Sequence, residues 1–261
     1  MSTAPPPMPT AQTPQEPDPG LSQISRIINT FIAPSKTFAD IRLNASWWMP
    51  WLIGALFALF FGIVAAQKLD LVHLAQESNE QNKFMQQRME QLSPEQREQT
   101  LQRQAATTKI VFYVLPVLSL IAAIIVAAIL LAVFNFGFAA EIRFQQALAV
   151  VMYAYLPRIF SAILTIVAIL TSSDPNTLDF AHRNPIATNL GFFMSPDSNK
   201  LLYTLASGID VFAIWPAILM GIGFATVSAN RKLKLSTGIA VVLGAYFLYL
   251  LLSGGISAAF S

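Results

Sequence analysis

Charge is almost absent from long stretches of this chain, and no other feature of the sequence restricts its fold as much. A helix rising 1.5 Å per residue needs about 20 mostly apolar residues to cross a bilayer. Four charge-free gaps reach that length: Leu43 to Gln67 with 25 residues, Ile110 to Ala140 with 31, Val211 to Asn230 with 20 and Leu235 to Ser261 with 27. A fifth run, Phe144 to Ser173, carries Arg158 as its single charge. We therefore expect an all-α, polytopic membrane protein with five transmembrane helices, drawn at 49–67, 111–135, 146–171, 209–229 and 237–259. An odd number of spans puts the termini on opposite sides. Composition agrees, since 54% of residues are hydrophobic and only 11% charged, against about 25% charged in soluble domains.

Several function classes drop out. Sixteen Lys/Arg against fourteen Asp/Glu leave a formal charge of +2, too small a surplus for a phosphate-tracking surface, so no nucleic acid is expected as a partner. Zero cysteines remove disulfides, thiolate nucleophiles and Cys-ligated zinc. His73 and His182 lie in different polar stretches, outside any HExxH spacing, and read as solvated loop residues. Gly221-Ile222-Gly223 begins like a dinucleotide fingerprint but lacks the third glycine and sits in a membrane run. With no phosphate loop or nucleophile elbow either, we expect a chain that is not an enzyme and takes no cofactor or metal.

Along the chain the expected organisation has three parts. Residues 1–20 hold seven of the sixteen prolines and no apolar run, which predicts a disordered tail rather than a signal peptide. Residues 21–48 read as interfacial amphipathic helices. Leu21, Ile24, Ile28 and Phe31 share one face, Ser22, Ser25, Arg26 and Asn29 the other, and Pro34 separates this helix from a second short one ending near Arg42. Trp47, Trp48 and Trp51 follow as interface anchors, because the indole keeps an apolar ring and a hydrated N–H at headgroup level. The remainder, 49–261, is the five-helix membrane domain. Its loop at 68–109 carries six Lys/Arg, six Asp/Glu and nine Gln and reads as a solvated helical hairpin outside the membrane. Ser93-Pro94-Glu95-Gln96 predicts a capped helix start within it. A partner-docking arm is the functional alternative for the same loop.

Inside the membrane, small residues recur every four positions: Gly54, Ala58, Gly62 and Ala66 in the first span, then Ala213, Ala217, Gly221 and Ala225 in the fourth. Such stripes let helices approach closely. They predict packing within the chain, with a homodimer seam as the alternative. Pro116, Pro157 and Pro216 predict kinks in the second, third and fourth spans. Arg158 lies 15 residues past Arg143 and 16 before Asp174, about 22–24 Å from either in a straight helix. An intramembrane charge needs acceptors, and the candidates are the Tyr153 carbonyl freed by Pro157, Asn135 and Asp210. Arg158, Tyr153, Asn135 and Asp210 are therefore the candidate intramembrane polar site.

Three segments, "IINTFIAPSKTFADIRLNASWWMPWLI" (27–53), "ALAVVMYAYLPRIF" (147–160) and "DVFAIWPAILMGIGFATVSANRKLKLSTGIAVVL" (210–243), resemble the bacterial branch of the Yip domain family, whose eukaryotic members are Rab-GTPase-interacting membrane proteins. The resemblance covers most of residues 25–260. It implies five spans, a cytoplasmic N-terminus and a multi-pass location in the cell inner (plasma) membrane. Charge counting alone leaves orientation open: with the N-terminus inside, seven Lys/Arg face the cytoplasm and eight face out. The Asp-Leu-Tyr-Gly-Pro motif of eukaryotic members is absent, so Rab binding does not carry over. The reading is a non-catalytic scaffold or membrane-organising protein whose partners are the lipid bilayer and either another membrane protein or a second copy. The alternative is a small-solute or ion permease using the Pro-kinked third and fourth helices.

Overall fold

The computed structural model describes residues 20–180, 184–195, 199–230 and 232–259. All but one residue of the Pro-rich tail, and His182, fall outside them. Among the described residues the regular elements are helical, apart from one isolated bridge between Asn189 and Asp210. In chain order they are α1 (Gln23–Ile32), α2 (Pro34–Leu43), α3 (Trp48–Lys68), α4 (Leu71–Glu80), α5 (Lys83–Glu90), α6 (Pro94–Phe138), α7 (Phe144–Ala154), α8 (Arg158–Thr171), α9 (Lys200–Gly208), α10 (Val211–Val227) and α11 (Leu235–Ala259), with short 3₁₀ turns in the 172–210 loop.

Four segments are long and apolar enough to cross a membrane: α3, the apolar part of α6, the α7–α8 pair taken together, and α11. The expected fourth span, 209–229, is shorter than drawn. It becomes the 17-residue α10, about 25 Å long and at the lower limit for a span. Polar groups trim it at both ends. The Asp210 carboxylate accepts from the Phe212 N–H at 2.7 Å, while Ser228 and Asn230 leave the helix to bond the turn between α6 and α7.

That turn, 139–143, is not helical, and it alternates: Ala140 and Ile142 are buried, while Ala139, Glu141 and Arg143 are exposed. Ala139 and Glu141 have positive φ, 47° and 53°. The Ala140 carbonyl accepts from the Ala229 N–H at 2.9 Å and from Ser228 Oγ at 3.3 Å, and Asn230 Nδ2 donates to the Phe138 carbonyl at 2.7 Å. Thus the end of α10 supplies the partners that the α6–α7 connection lacks, as buried backbone requires.

The core centres on α7 and α10. Every residue of α7 from Gln146 to Ala154 is buried, and Phe224 of α10 stacks on Phe134 of α6 with ring centroids 4.9 Å apart. Two glycines set the spacing of α10. A Cβ on Gly221 would collide with the backbone of Gly238 and Ile239 in α11, and one on Gly223 would collide with Val150 in α7 and crowd Phe38 in α2. The small-residue stripe of α10 is therefore occupied by this chain's own helix α11. The stripe of α3 behaves differently: Gly62 lies against the Phe112 backbone of α6, whereas a Cβ on Gly54 would meet nothing within 4 Å.

Outside the bundle, α6 begins at the expected cap. Ser93 Oγ accepts from the Gln96 N–H at 3.3 Å and Gln96 Oε1 accepts from the Ser93 N–H at 3.1 Å. The helix then runs 45 residues without a break, so a single rod joins the polar arm to the membrane span. Paired amides of Asn79 and Gln104, with Nδ2 to Oε1 at 2.8 Å, hold α4 against this rod. The Asp70 N–H donates to Asn176 Oδ1 at 2.7 Å, placing the arm and the 172–210 loop at one end of the bundle. The loop folds on buried Asn184, which donates to Tyr203 and Ser207. Burial raises the Tyr203 phenol above its ordinary value.

The two glycine environments predict opposite tolerances. Gly221→Leu should lower stability by about 1–3 kcal/mol, the usual cost of overpacking, whereas Gly54→Leu should fold with little loss. Thermal melts of both variants in detergent check this; equal melting points would remove the packing role assigned to Gly221.

Candidate functional site

The four residues expected to form one intramembrane polar site are not brought together by shared contacts. Asn135 closes the end of α6: its Nδ2 donates to the Ile142 carbonyl and its Oδ1 accepts from the Ile142 N–H, both at 2.9 Å. Asp210 caps α10 and accepts from Thr188 Oγ1. Tyr153 Oη donates to Gln23 Oε1 at 2.9 Å. Its carbonyl accepts from the Leu156 N–H at 3.2 Å in the tight turn at 155–157 between α7 and α8, and no hydrogen bond joins it to Arg158 among the described residues. Of the three prolines, only Pro157 sits at a break; Pro116 and Pro216 lie within continuous helices.

Arg158 itself is exposed and lies over the Tyr155 ring, 5.4 Å from its centroid. It lines a groove of about 400 Å³ whose walls are the first half of α3 (Pro50, Trp51, Gly54, Phe57, Ala58), the α6 segment 115–122, and the α7–α8 junction. The open space beside Gly54 belongs to this groove, which ends where Gly62 meets Phe112. Counting residues along a straight helix placed Arg158 far from both membrane surfaces. In the fold it shares one groove with Pro50 and Trp51, in the first turn of α3. Of the three tryptophans read as interface anchors, Trp51 lines this groove: Trp48 is half-exposed, the Trp47 and Trp51 rings meet edge to face at 6.5 Å, and Trp51 Nε1 donates to the Pro116 carbonyl at 3.4 Å.

The strongest electrostatic feature is one the sequence reading placed on the wrong face. Periodicity puts Arg26 on the polar face of α1, opposite Ile24 and Ile28, yet in the fold it is 1% exposed and paired through Nε with the Asp40 carboxylate of α2. Helices α1 and α2 form an antiparallel hairpin. At its base, Gln23 Nε2 donates to Ser46 Oγ at 3.0 Å and Gln146 Nε2 of α7 donates to the Arg42 carbonyl at 2.9 Å. At its tip, Phe31 packs edge-on to Phe160 and Trp215, with centroids 5.6 and 5.9 Å away. Thr30 and Thr37 both donate to the Arg26 carbonyl at 2.8 Å, and the Leu21 N–H donates to Asp40 Oδ1 at 2.9 Å. The polar groups thus face inward, while Ile24, Ile28 and Ile32 point outward and are exposed. A usable signal was present: Arg26 lies seven residues before Ala33 and Asp40 seven after it, the spacing that a hairpin turning at Ala33 brings together.

The fold and these buried contacts define an all-α, polytopic integral membrane protein. The Yip1 domain family model matches residues 28–256, and the chain belongs to that family. No curated protein and no solved structure matches it.

The ion pair makes a sharp prediction. Arg26 Nη1 is buried without a hydrogen-bond partner among the described residues, so the pair is imperfectly compensated. Asp40→Leu, which strands the guanidinium, should cost about 3–5 kcal/mol, whereas the double change Arg26→Met with Asp40→Leu should recover most of that loss. A double-mutant cycle by thermal denaturation in detergent measures it; additive losses would show that the two side chains are not coupled.

Proposed function

We propose that this protein is a non-catalytic scaffold or membrane-organising protein. Its place would be the cell inner (plasma) membrane, with the N-terminus, the α1–α2 hairpin and the 228–234 turn on the cytoplasmic side. The observation that carries this reading is the arm. Helices α4 and α5 and the first four turns of α6 stand outside the apolar region on a rod that is continuous with a membrane helix, and their surface is polar and exposed. A stiff arm of this kind presents a fixed surface to another membrane protein or to a second copy. In the same reading residues 21–48 lie in the membrane interface. A permease using the kinked third and fourth spans finds support in the helix break beside the groove. The close contact of Gly62 with Phe112, which ends that groove, favours the scaffold.

Photocrosslinkers at Gln87 and Gln99, both exposed on the arm, should capture one recurrent protein in native membranes. Single cysteines at positions 36 and 90, in a chain with none of its own, should label from opposite sides. Diffuse crosslinking together with solute flux in proteoliposomes would replace the scaffold with the permease, and labelling of both positions from one side would overturn the topology.

A further inference from the structure

The groove at the α7–α8 break is the place where lining and charge are mismatched. Its walls are apolar, with Phe57 from α3, Leu118 from α6, Met152 from α7 and Ile159 from α8. Two polar side chains along it are satisfied within the protein, since Trp51 Nε1 and Ser119 Oγ both donate to the Pro116 carbonyl, at 3.4 and 2.8 Å. The charge of Arg158 is not answered in this way. Its guanidinium rests on the Tyr155 ring, and no carboxylate or hydrogen-bond acceptor answers it among the described residues. A ring face offers a quadrupole but no counter-charge. A lone guanidinium against apolar walls selects an anion, and its planar fork matches the oxygens of a phosphate.

We propose that this groove binds one anionic phospholipid, with its phosphate on Arg158 and an acyl chain along the channel between α3 and α6. Three observations favour a lipid over a soluble anion. Leu118 and Arg158 are both exposed, so the groove opens on the outer surface of the bundle, among lipid-facing residues such as Leu52, Leu56 and Leu164. Trp51, one of the tryptophans that mark headgroup level, lines the groove with Arg158. The volume, about 400 Å³, is enough to enclose part of a ligand of this kind, within the range of about 300–1,000 Å³ usual for binding clefts. Gly54 and Ala58 keep this space open where α3 and α6 diverge from their contact at Gly62. This site stands apart from the arm, and its occupancy does not depend on the scaffold reading.

The test uses the full chain with Trp47, Trp48 and Trp215 changed to Phe, leaving Trp51 as the reporter beside the groove. It is reconstituted in phosphatidylcholine vesicles in which either phosphatidylcholine or phosphatidylglycerol carries brominated acyl chains that quench indole fluorescence. Brominated phosphatidylglycerol should occupy the quenching site about 10-fold more favourably than brominated phosphatidylcholine, the preference expected of one charge-assisted contact. Arg158→Leu should abolish this preference and Arg158→Lys retain part of it. Gly54→Leu, whose side chain fills open space, should reduce quenching by both lipids without lowering the melting temperature. Equal quenching by the two lipids, or a preference that survives Arg158→Leu, overturns the proposal. A preference erased by added inorganic phosphate identifies a soluble-anion site and overturns the lipid assignment. If Arg158→Leu fails to fold, the parent preference and the Gly54→Leu result decide between these outcomes.

Discussion

A backbone inside a bilayer has no water to bond, so every interruption of helix there must be answered by the protein itself. The breaks in this bundle, within the spans and at their ends, find their partners in different ways. At 139–143, side chains and backbone from elsewhere supply the missing partners: Asn135 from α6, then Ser228, Ala229 and Asn230 from the end of α10. At 155–157 the chain satisfies itself with short-range bonds, the Arg158 N–H reaching the Tyr155 carbonyl and the Ile159 N–H the Leu156 carbonyl, each at 3.0 Å. At the hairpin tip the Ala33 N–H still reaches the Asn29 carbonyl at 2.8 Å, so α1 passes into α2 with one residue between them. These closures place α10 against both α7 and α11, and so fix where the glycines at 221 and 223 must lie.

On the proposed interfacial placement of residues 21–48, the same solvent sorts the side chains of the hairpin. In water an amphipathic helix turns its charges outward; here Arg26, Asp40, Thr30 and Thr37 are packed against one another and the isoleucines face away. Asp40 is the only acid in α2, so only one register places a carboxylate beside Arg26. Buried ion pairs contribute little net stability, since desolvation opposes the attraction. Register is the stronger role, and it is what lets Phe31 meet Phe160 and Trp215 at the tip.

Much of this architecture was legible in the chain because its signals are local. Charge-free gaps gave the membrane helices, and Ser93 with Pro94 and Gln96 marked the start of α6. The Ser-Lys-Thr-Phe segment, the Trp cluster and the Tyr-x-x-Leu-Pro break carried the family resemblance that the match over residues 28–256 establishes. What depended on tertiary contact was not legible. Periodicity shows that α1 has two faces but not which of them is buried, and Arg26 was assigned to the wrong one. Residue counting along one helix does not show that Arg158 shares a groove with Pro50 and Trp51 of α3. Asn135 and Asp210 looked like free acceptors, yet each is spent on a backbone end whose need appears only when α6 turns and α10 begins. Helix α10 is shorter than the charge-free gap for the same reason, since Ser228 and Asn230 are uncharged and do not end that gap, yet in the fold they bond the α6–α7 turn.

The central claim is that lipid, rather than water, is the medium against which the hairpin is sorted. Nitroxide labels on single cysteines at positions 24, 28 and 32, in the full chain reconstituted in vesicles, test it directly. Collision rates with oxygen, which concentrates in hydrocarbon, and with a water-soluble nickel chelate report the surroundings of each label. The account predicts high oxygen and low nickel accessibility at all three positions. High nickel accessibility along the stripe would contradict it, because exposed isoleucines in water would leave the inward-facing ion pair without the physical reason given for it here.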